Sequence, residues 1–344
     1  MGGGLPVAFM PKLSLPHQYS NIVSLENLLG AWQEFVREKR SRKDVQGFER
    51  NLMTNLILLH QDLVAQTYQH SPYHAFRISD PKPRQIHKAT VRDRIVHRAI
   101  YRILYPHFHQ QFIYDSYSCR LGKGTHKAIK RFTDKTTKLS QNNTKVVWVL
   151  KCDIRKFFAS IDQVTLLGLL RKQIPDRNII WLIEKVVCSF NSGIVGKGLP
   201  LGNLTSQLFS NVYLNELDQF MKHKLKTKHY LRYADDFVIL NRDKDYLLEM
   251  TPKIADFLSE RLKLDLHPNK VFLQTIASGV DFLGWVNFPN HRVLRTTTKR
   301  RMIKRLKVVG DRPEVKQSYL GMLKWGNGYG LQKQINLNSL AGKD

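Results

Sequence analysis

Four residues, Tyr233-Ala234-Asp235-Asp236, constrain this chain most, because they sit between two runs of strand formers. Tyr230 and Leu231 lead in, and Phe237-Val238-Ile239-Leu240 lead out. Bulky β-formers on both sides of a short acidic tip read as a β-hairpin. Solvated acidic turns are common, yet adjacent carboxylates repel each other. A divalent cation removes that conflict, and two hard cations held by carboxylates can move a phosphoryl group. Val146-Val147-Trp148-Val149-Leu150 is a second apolar run of buried-strand type, continuing through Lys151 and Cys152 to Asp153. A charge at the end of a buried strand is costly unless paired. Asp153 either caps the next helix or joins Asp235 on an adjacent strand. In the second case the two carboxylates share two metal ions, with Asp236 beside them and the Ile154 carbonyl as a further oxygen donor.

Three blocks then carry a family resemblance. Asp153-Ile154-Arg155-Lys156-Phe157-Phe158, Gly198-Leu199-Pro200-Leu201-Gly202-Asn203-Leu204-Thr205-Ser206-Gln207 and Tyr233-Ala234-Asp235-Asp236 occur in the order and at the distances of a reverse transcriptase palm. The similarity runs from about residue 50 to about residue 335. It implies an α+β right-hand polymerase with fingers, a palm of antiparallel sheet packed on helices, and a short helical thumb. It divides the chain into an N-terminal tail (1–24), N-terminal helices and fingers (25–145), a palm with part of the fingers inserted (146–288), and a thumb with C-terminal tail (289–344). The implied reaction is attack of a primer 3′-hydroxyl on a nucleotide α-phosphate with two Mg²⁺ ions, for which Mn²⁺ can substitute. Asp153 and Asp235 would bridge the metals and Asp236 would support them.

Composition agrees with a polyanionic partner. Lys and Arg number 55 against 28 acids, a net charge of +27, far beyond what solubility requires. Ribosomal and membrane-surface proteins share that trait. No apolar run approaches the ~18 residues of a membrane span. The N-terminus lacks a secretory pattern, and Pro6 stands where a myristoylation signal needs Ser or Thr. Cys119, Cys152 and Cys188 form no CxxC pair and read as reduced core or near-core residues of a cytoplasmic protein.

Further along the chain, helical periodicity covers Leu25 to about Tyr68. Phe76-Arg77-Ile78 and Arg84-Gln85-Ile86 flank a Pro-rich turn as paired extended segments. The resemblance makes this the fingers hairpin and gives Lys82 and Arg84 to the incoming triphosphate. The stretch from Thr90 to Arg98 opens a helix that runs towards Tyr105, with Arg92, Arg94, Arg98 and Arg102 facing outward. The resemblance places Arg92 and Arg94 near the template. The Gly122-Lys123-Gly124 loop exposes backbone amides suited to a phosphate or sugar, and the resemblance adds Lys123 to the nucleic-acid contacts. Of Phe157 and Phe158, one is the expected steric gate against a 2′-hydroxyl. Spacing favours Phe158, with Phe157 as packing. The glycine-rich stretch from Gly193 to Gly202 reads as a strand pair or loop ahead of a helix from Asn203. Leu201, Gly202 and Ser206 would lie beside the nascent base pair. An amphipathic helix is expected over Thr251–Leu264, with Pro252 in its first turn. Gly284 and Trp285 resemble a primer grip. The basic block bearing Arg295, Lys299, Arg300, Arg301 and Lys304 falls where a thumb would clasp an RNA–DNA duplex.

The usual pattern of the middle block is Gln-Gly-x-x-x-Ser-Pro. Here Leu201 replaces the Gln and Gln207 the Pro, which resembles the reverse transcriptases of diversity-generating retroelements. That resemblance implies copying of a template RNA with errors at adenines, for mutagenic retrohoming. It also implies dNTPs as substrates and a small, basic, oligomeric accessory variability protein as partner. Only about thirty residues follow Val315, so the splicing domain of a group II intron protein is not expected. An antiphage or intron-derived reverse transcriptase is the alternative within this class. A catalytically silent RNA-binding scaffold is the alternative from another.

Overall fold

The computed structural model describes residues 14–79, 83–309 and 312–337. The described residues open with four helices: α1 (Tyr19–Val23), α2 (Leu25–Val36), α3 (Lys43–Glu49) and α4 (Leu52–Val64). Ser24 Oγ accepts from Asn27 N and starts α2, whose Leu28, Ala31, Trp32 and Phe35 are buried at helical spacing. A two-stranded ladder follows, β1 (His74–Ile78) with β2 (Arg84–Lys88), in the register Ile78 to Arg84. Next comes α5 (Val91–Gln111), capped by Thr90, which carries Pro106 in its interior and so runs six residues beyond the expected end at Tyr105. Then come α6 (Thr125–Leu139), β3 (Trp148–Asp153) and the single turn α7 (Phe157–Ser160). Helices α8 (Gln163–Arg171) and α9 (Arg177–Val187) are each capped by an aspartate, Asp162 and Asp176. Helix α10 (Leu204–Gln219) ends in a π-helical turn, Phe220–Lys224.

The acidic hairpin follows as β4 (Tyr230–Tyr233) and β5 (Asp236–Asn241). Helix α11 spans Lys244–Leu262, starting seven residues before the expected Thr251. Asp243 Oδ1 accepts from the amides of Asp245 and Tyr246 and begins the helix there, so Pro252 lies inside it. The described residues close with β6 (Phe272–Thr275), β7 (Val280–Phe282), β8 (Trp285–Asn287), β9 (Arg292–Leu294), α12 (Thr296–Val309), α13 (Pro313–Leu323) and α14 (Tyr329–Leu337).

Two compact units result. The first takes the described residues up to Ile113, then Arg155–Gln219 and Leu258–Leu264. Helix α5 is packed by α2 and α10, and α8 joins α9 and α10. The stretch from Gly193 to Gly202 is a loop with one bridge, Asp162 to Lys197. The second unit takes Tyr114–Ile154, Phe220–Phe257 and the described residues from Asp265. Its four-stranded antiparallel sheet has the order β4-β5-β3-β6. Val149, Leu231, Val238 and Leu240 of that sheet bury against Ala128 and Phe132 of α6. A second antiparallel sheet, β7-β8-β9, packs Trp285 and Leu294 with Met302 of α12, Leu323 of α13 and Ile335 of α14. Antiparallel sheet buried on helices is the α+β layering expected of the palm. Cys152 is buried, as expected, but Cys119 and Cys188 are exposed, because Cys119 stands at positive φ in a turn and Cys188 at a helix end.

Candidate active site

In the second unit, β3 and β5 pair so that Asp153 lies opposite Asp236. Residues directly opposite in an antiparallel ladder put their side chains on the same face, so the two carboxylates share one face at one end of the two central strands. Asp235 occupies the turn between β4 and β5, after Ala234 at φ 53°. Its carbonyl accepts from Ile154 N at 3.3 Å. The hairpin thus brings Asp153, Asp235 and Asp236 together. Asp153 is not a helix cap, since Lys156 holds that position for α7.

Cations meet these carboxylates. Lys270 Nζ lies 3.1 Å from Asp153 Oδ1. Lys151 Nζ donates to the Asp281 carbonyl at 2.6 Å and stands 3.7 Å from Asp236 Oδ2. Burial pushes the Asp236 carboxyl up to about 7; Lys151 opposes the rise, and Asp153, Asp235 and Asp281 add to it. Asp236 Oδ1 is buried and has no hydrogen-bond partner among the described residues. Three hard oxygen donors repelling one another, one of them unsatisfied, fit a divalent cation. As placed, however, no three His, Cys, Asp or Glu side chains among the described residues close into a ligand set, and Asp153 faces Lys270 instead.

The sequence reading missed Arg232. It is 1 % exposed, donates from Nη1 to the Ala234 carbonyl at 3.2 Å and from Nη2 to Ser116 Oγ at 3.0 Å, and so ties down the turn that carries Asp235. Its signal was a cation at a strand position flanked by Leu231 and Tyr233. Lys151 gave the same kind of signal inside an apolar run, whereas Lys270 gave none.

In the first unit, Phe157 is buried while Phe158 lines a cavity of about 430 Å³ with Gln85, His87, Phe190, Leu199 and Leu201. Phe158 O accepts from Leu199 N at 2.8 Å, and Leu201 O accepts from His87 N at 3.1 Å. Asn203 Nδ2 reaches the His87 carbonyl at 2.9 Å. Gly202 has φ +100°, and an added Cβ would stand 3.0 Å from Ile86 Cγ2, so only glycine lets the loop approach β2 this closely. Ser206 is buried in α10. Arg84 begins β2 and is exposed; Lys82 lies outside the described residues.

The expected outward arginines of α5 have acidic partners in the protein. Arg92 meets Asp62 at 2.6 Å, Arg94 meets Asp44 at 2.5 Å, and Arg98 and Arg102 both meet Glu34. Lys123 Nζ lies 3.4 Å over the Tyr114 ring. Gly284 takes φ +86° between β7 and β8, Trp285 is buried, and Arg295 pairs with Asp281. On α12, Lys299, Arg300 and Lys304 are exposed and Arg301 is half-buried.

The sequence profile described as "Reverse transcriptase (RNA-dependent DNA polymerase)" matches residues 79–286, more than half of the chain. The chain belongs to the reverse transcriptase family. It is therefore an RNA-directed DNA polymerase, of a family that generally uses divalent metal ions. It is similar to the protein YkfC of Escherichia coli, 26% identical over 307 residues that cover 78% of each chain. It is also similar to the group II intron-encoded protein LtrA of Lactococcus lactis, 24% identical over 325 residues, 74% of this reverse transcriptase but only 52% of LtrA. The chain thus spans about half the length of LtrA. Among solved structures, the telomerase of Candida albicans with a TWJ fragment of telomeric RNA aligns over 67% of this chain and 46% of its own, at 12% identity and a TM-score of 0.49. No helix among the described residues is long and apolar enough to cross a membrane.

Proposed function

We propose that this reverse transcriptase copies a template RNA into cDNA by two-metal nucleotidyl transfer, with errors at template adenines, as part of a diversity-generating retroelement. The pairing of Asp153 with Asp236 beside the turn that holds Asp235 carries the chemical reading. Asp153, Asp235, Asp236 and the Ile154 carbonyl would hold two Mg²⁺ ions, or Mn²⁺ in their place, supplying charge neutralisation at the α-phosphate and a more acidic primer 3′-hydroxyl. Lys151 and Lys270 balance part of the carboxylate charge.

Within the other unit, Phe158 supplies the bulk that excludes a 2′-hydroxyl, with Phe157 behind it. Lys82 and Arg84 serve the triphosphate, and Leu201, Gly202 and Ser206 the nascent pair. Gly284, Trp285, Arg295, Lys299, Arg300, Arg301 and Lys304 serve the duplex, and Arg92, Arg94 and Lys123 the template side. In this reading 25–145 forms the N-terminal helices and fingers, 146–288 the palm with part of the fingers inserted, and 289–344 the thumb with a C-terminal tail. The partners are RNA, dNTPs and a small basic accessory protein in the cytoplasm. Primer extension on a primed RNA tests the chemistry. Asp235→Ala should lower it by about 10²–10³-fold or more, the scale of a lost transition-state charge contact, while RNA binding persists. Undiminished extension by Asp235→Ala would remove the metal assignment.

Leu201 supports the finer reading. An apolar side chain in a site that otherwise offers a polar contact relaxes checking of the incoming nucleotide. Leu201→Gln should lower misincorporation at template adenines. An unchanged error spectrum at adenines speaks for the second reading, an intron-type polymerase, which the similarity to LtrA favours.

A further inference from the structure

A second cavity lies entirely within the other end of the second unit, about 330 Å³ in volume. It is open to solvent on one side and bounded by the β8–β9 connection, the α13–α14 connection and Thr133 of α6. Its walls are held in place. Gly326 lets the α13–α14 connection lie against β8 and β9, since a Cβ there would overlap the Trp285 ring and stand 2.9 Å from Arg292 Cγ. Asn327 N donates to Arg292 O, and Phe288 N donates to His291 O, both at 2.8 Å. Arg292 Nη2 donates to Thr133 Oγ1 at 2.9 Å. Burial lowers the pKa of this guanidinium, with Asp134 opposing.

The lining offers three kinds of contact. Arg292 and Lys324 present positive charge. Asn287, 3% exposed, spends its amide on the carbonyls of Val280 and Trp285, and its Oδ1 is buried with no hydrogen-bond partner among the described residues. Trp325 is 45% exposed, and its indole is braced by His126 stacked at 4.1 Å and 18°.

We propose that this cavity holds one unpaired ribonucleotide of the RNA, its base on Trp325 with an edge N–H donated to Asn287 Oδ1 and its phosphate on Arg292 and Lys324. The volume lies at the lower end of small-ligand sites, about 300 Å³ and upward. A bare anion would satisfy the cations and leave Asn287 Oδ1 unmet. A base inside a duplex is stacked on both faces by its neighbours, so only an unpaired base brings a free stacking face to Trp325 together with a donor and a phosphate. The net charge of +27 favours nucleic acid over a peptide. The inference takes from the family reading only that the polymer is RNA.

The test uses the full chain and two probes: a fluorescein-labelled single-stranded RNA 12-mer, and the same strand annealed to its DNA complement. Wild type, Lys324→Ala and Trp325→Ala are titrated with both, and wild type cross-linked by ultraviolet light to the single strand is mapped by peptide mass spectrometry. Both variants alter exposed side chains, and the map needs no variant. Trp325→Ala should weaken single-strand binding by about five- to a hundredfold, the range of base–aromatic stacking, Lys324→Ala should weaken it by a smaller factor through one lost phosphate contact, and each should weaken duplex binding less than twofold. Cross-links should fall on Trp325 or Phe288. Equal losses on both probes, no loss, cross-links elsewhere, or displacement of the RNA by an acidic peptide would each overturn the proposal. Primer extension is run in parallel. Extension without a pocket cross-link removes the subsite alone, and a pocket cross-link without extension removes the polymerase reading alone.

Discussion

His97 and Asp236 show how burial sets the charge of single side chains here. Asp236 is pushed up to about 7 by burial, with neighbouring carboxylates adding to the rise. His97 moves the other way, to about 3, through burial and then the His70 ring, with Asp93 opposing. Its Nε2 lies 3.1 Å from His70 Nε2. An unfolded histidine takes its proton below about 6.5, whereas the folded His97 refuses it until about 3. The unfolded chain therefore binds more protons across that window, and stability falls as pH drops through it, by roughly 1.4 kcal/mol per pH unit crossed. Denaturant midpoints at pH 8, 6.5 and 5 should fall for wild type and fall less for His97→Gln. Parallel curves would assign the acid sensitivity to another group.

At the scale of elements, the contact of β2 with the loop before α10 depends on a single glycine. Gly202→Ala must place a Cβ at φ +100° against Ile86, a strain of about 1–3 kcal/mol. The variant should melt several degrees lower, and its KM for dNTPs should rise as the Leu201–His87 hydrogen bond is disturbed. An unchanged melt and KM would show that the loop does not depend on that approach. Strand periodicity made the β1–β2 ladder, β3 and the acidic hairpin legible in advance. Helix ends were read less well. The rule that proline marks a first turn placed the start of α11 at Thr251, but tertiary packing of Leu247, Met250 and Ile254 carries the helix through Pro252.

At the scale of the whole chain, the excess of 55 basic over 28 acidic residues is partly committed within the protein. Arg92, Arg94 and Arg98 already meet carboxylates, while α12 keeps Lys299, Arg300 and Lys304 exposed. Binding to a primed RNA–DNA duplex should weaken by about 10³–10⁵-fold between 50 and 200 mM salt if six to ten phosphates are neutralised. A slope below that, measured by fluorescence anisotropy, would mean that most of the charge is internal.

Local pattern alone settled which carboxylates end strands and which segment is a hairpin, because side-chain alternation is written directly in the residue order; the net charge of +27 pointed towards a polyanionic partner without fixing it. Only the tertiary structure decided that Asp153 stands opposite Asp236, that Arg232 and Lys151 are buried beside the acidic turn, and that Asn287, Arg292 and Lys324 share one cavity. Those facts depend on strand register and on contacts between segments far apart in the chain, and neither is encoded in any single stretch of sequence.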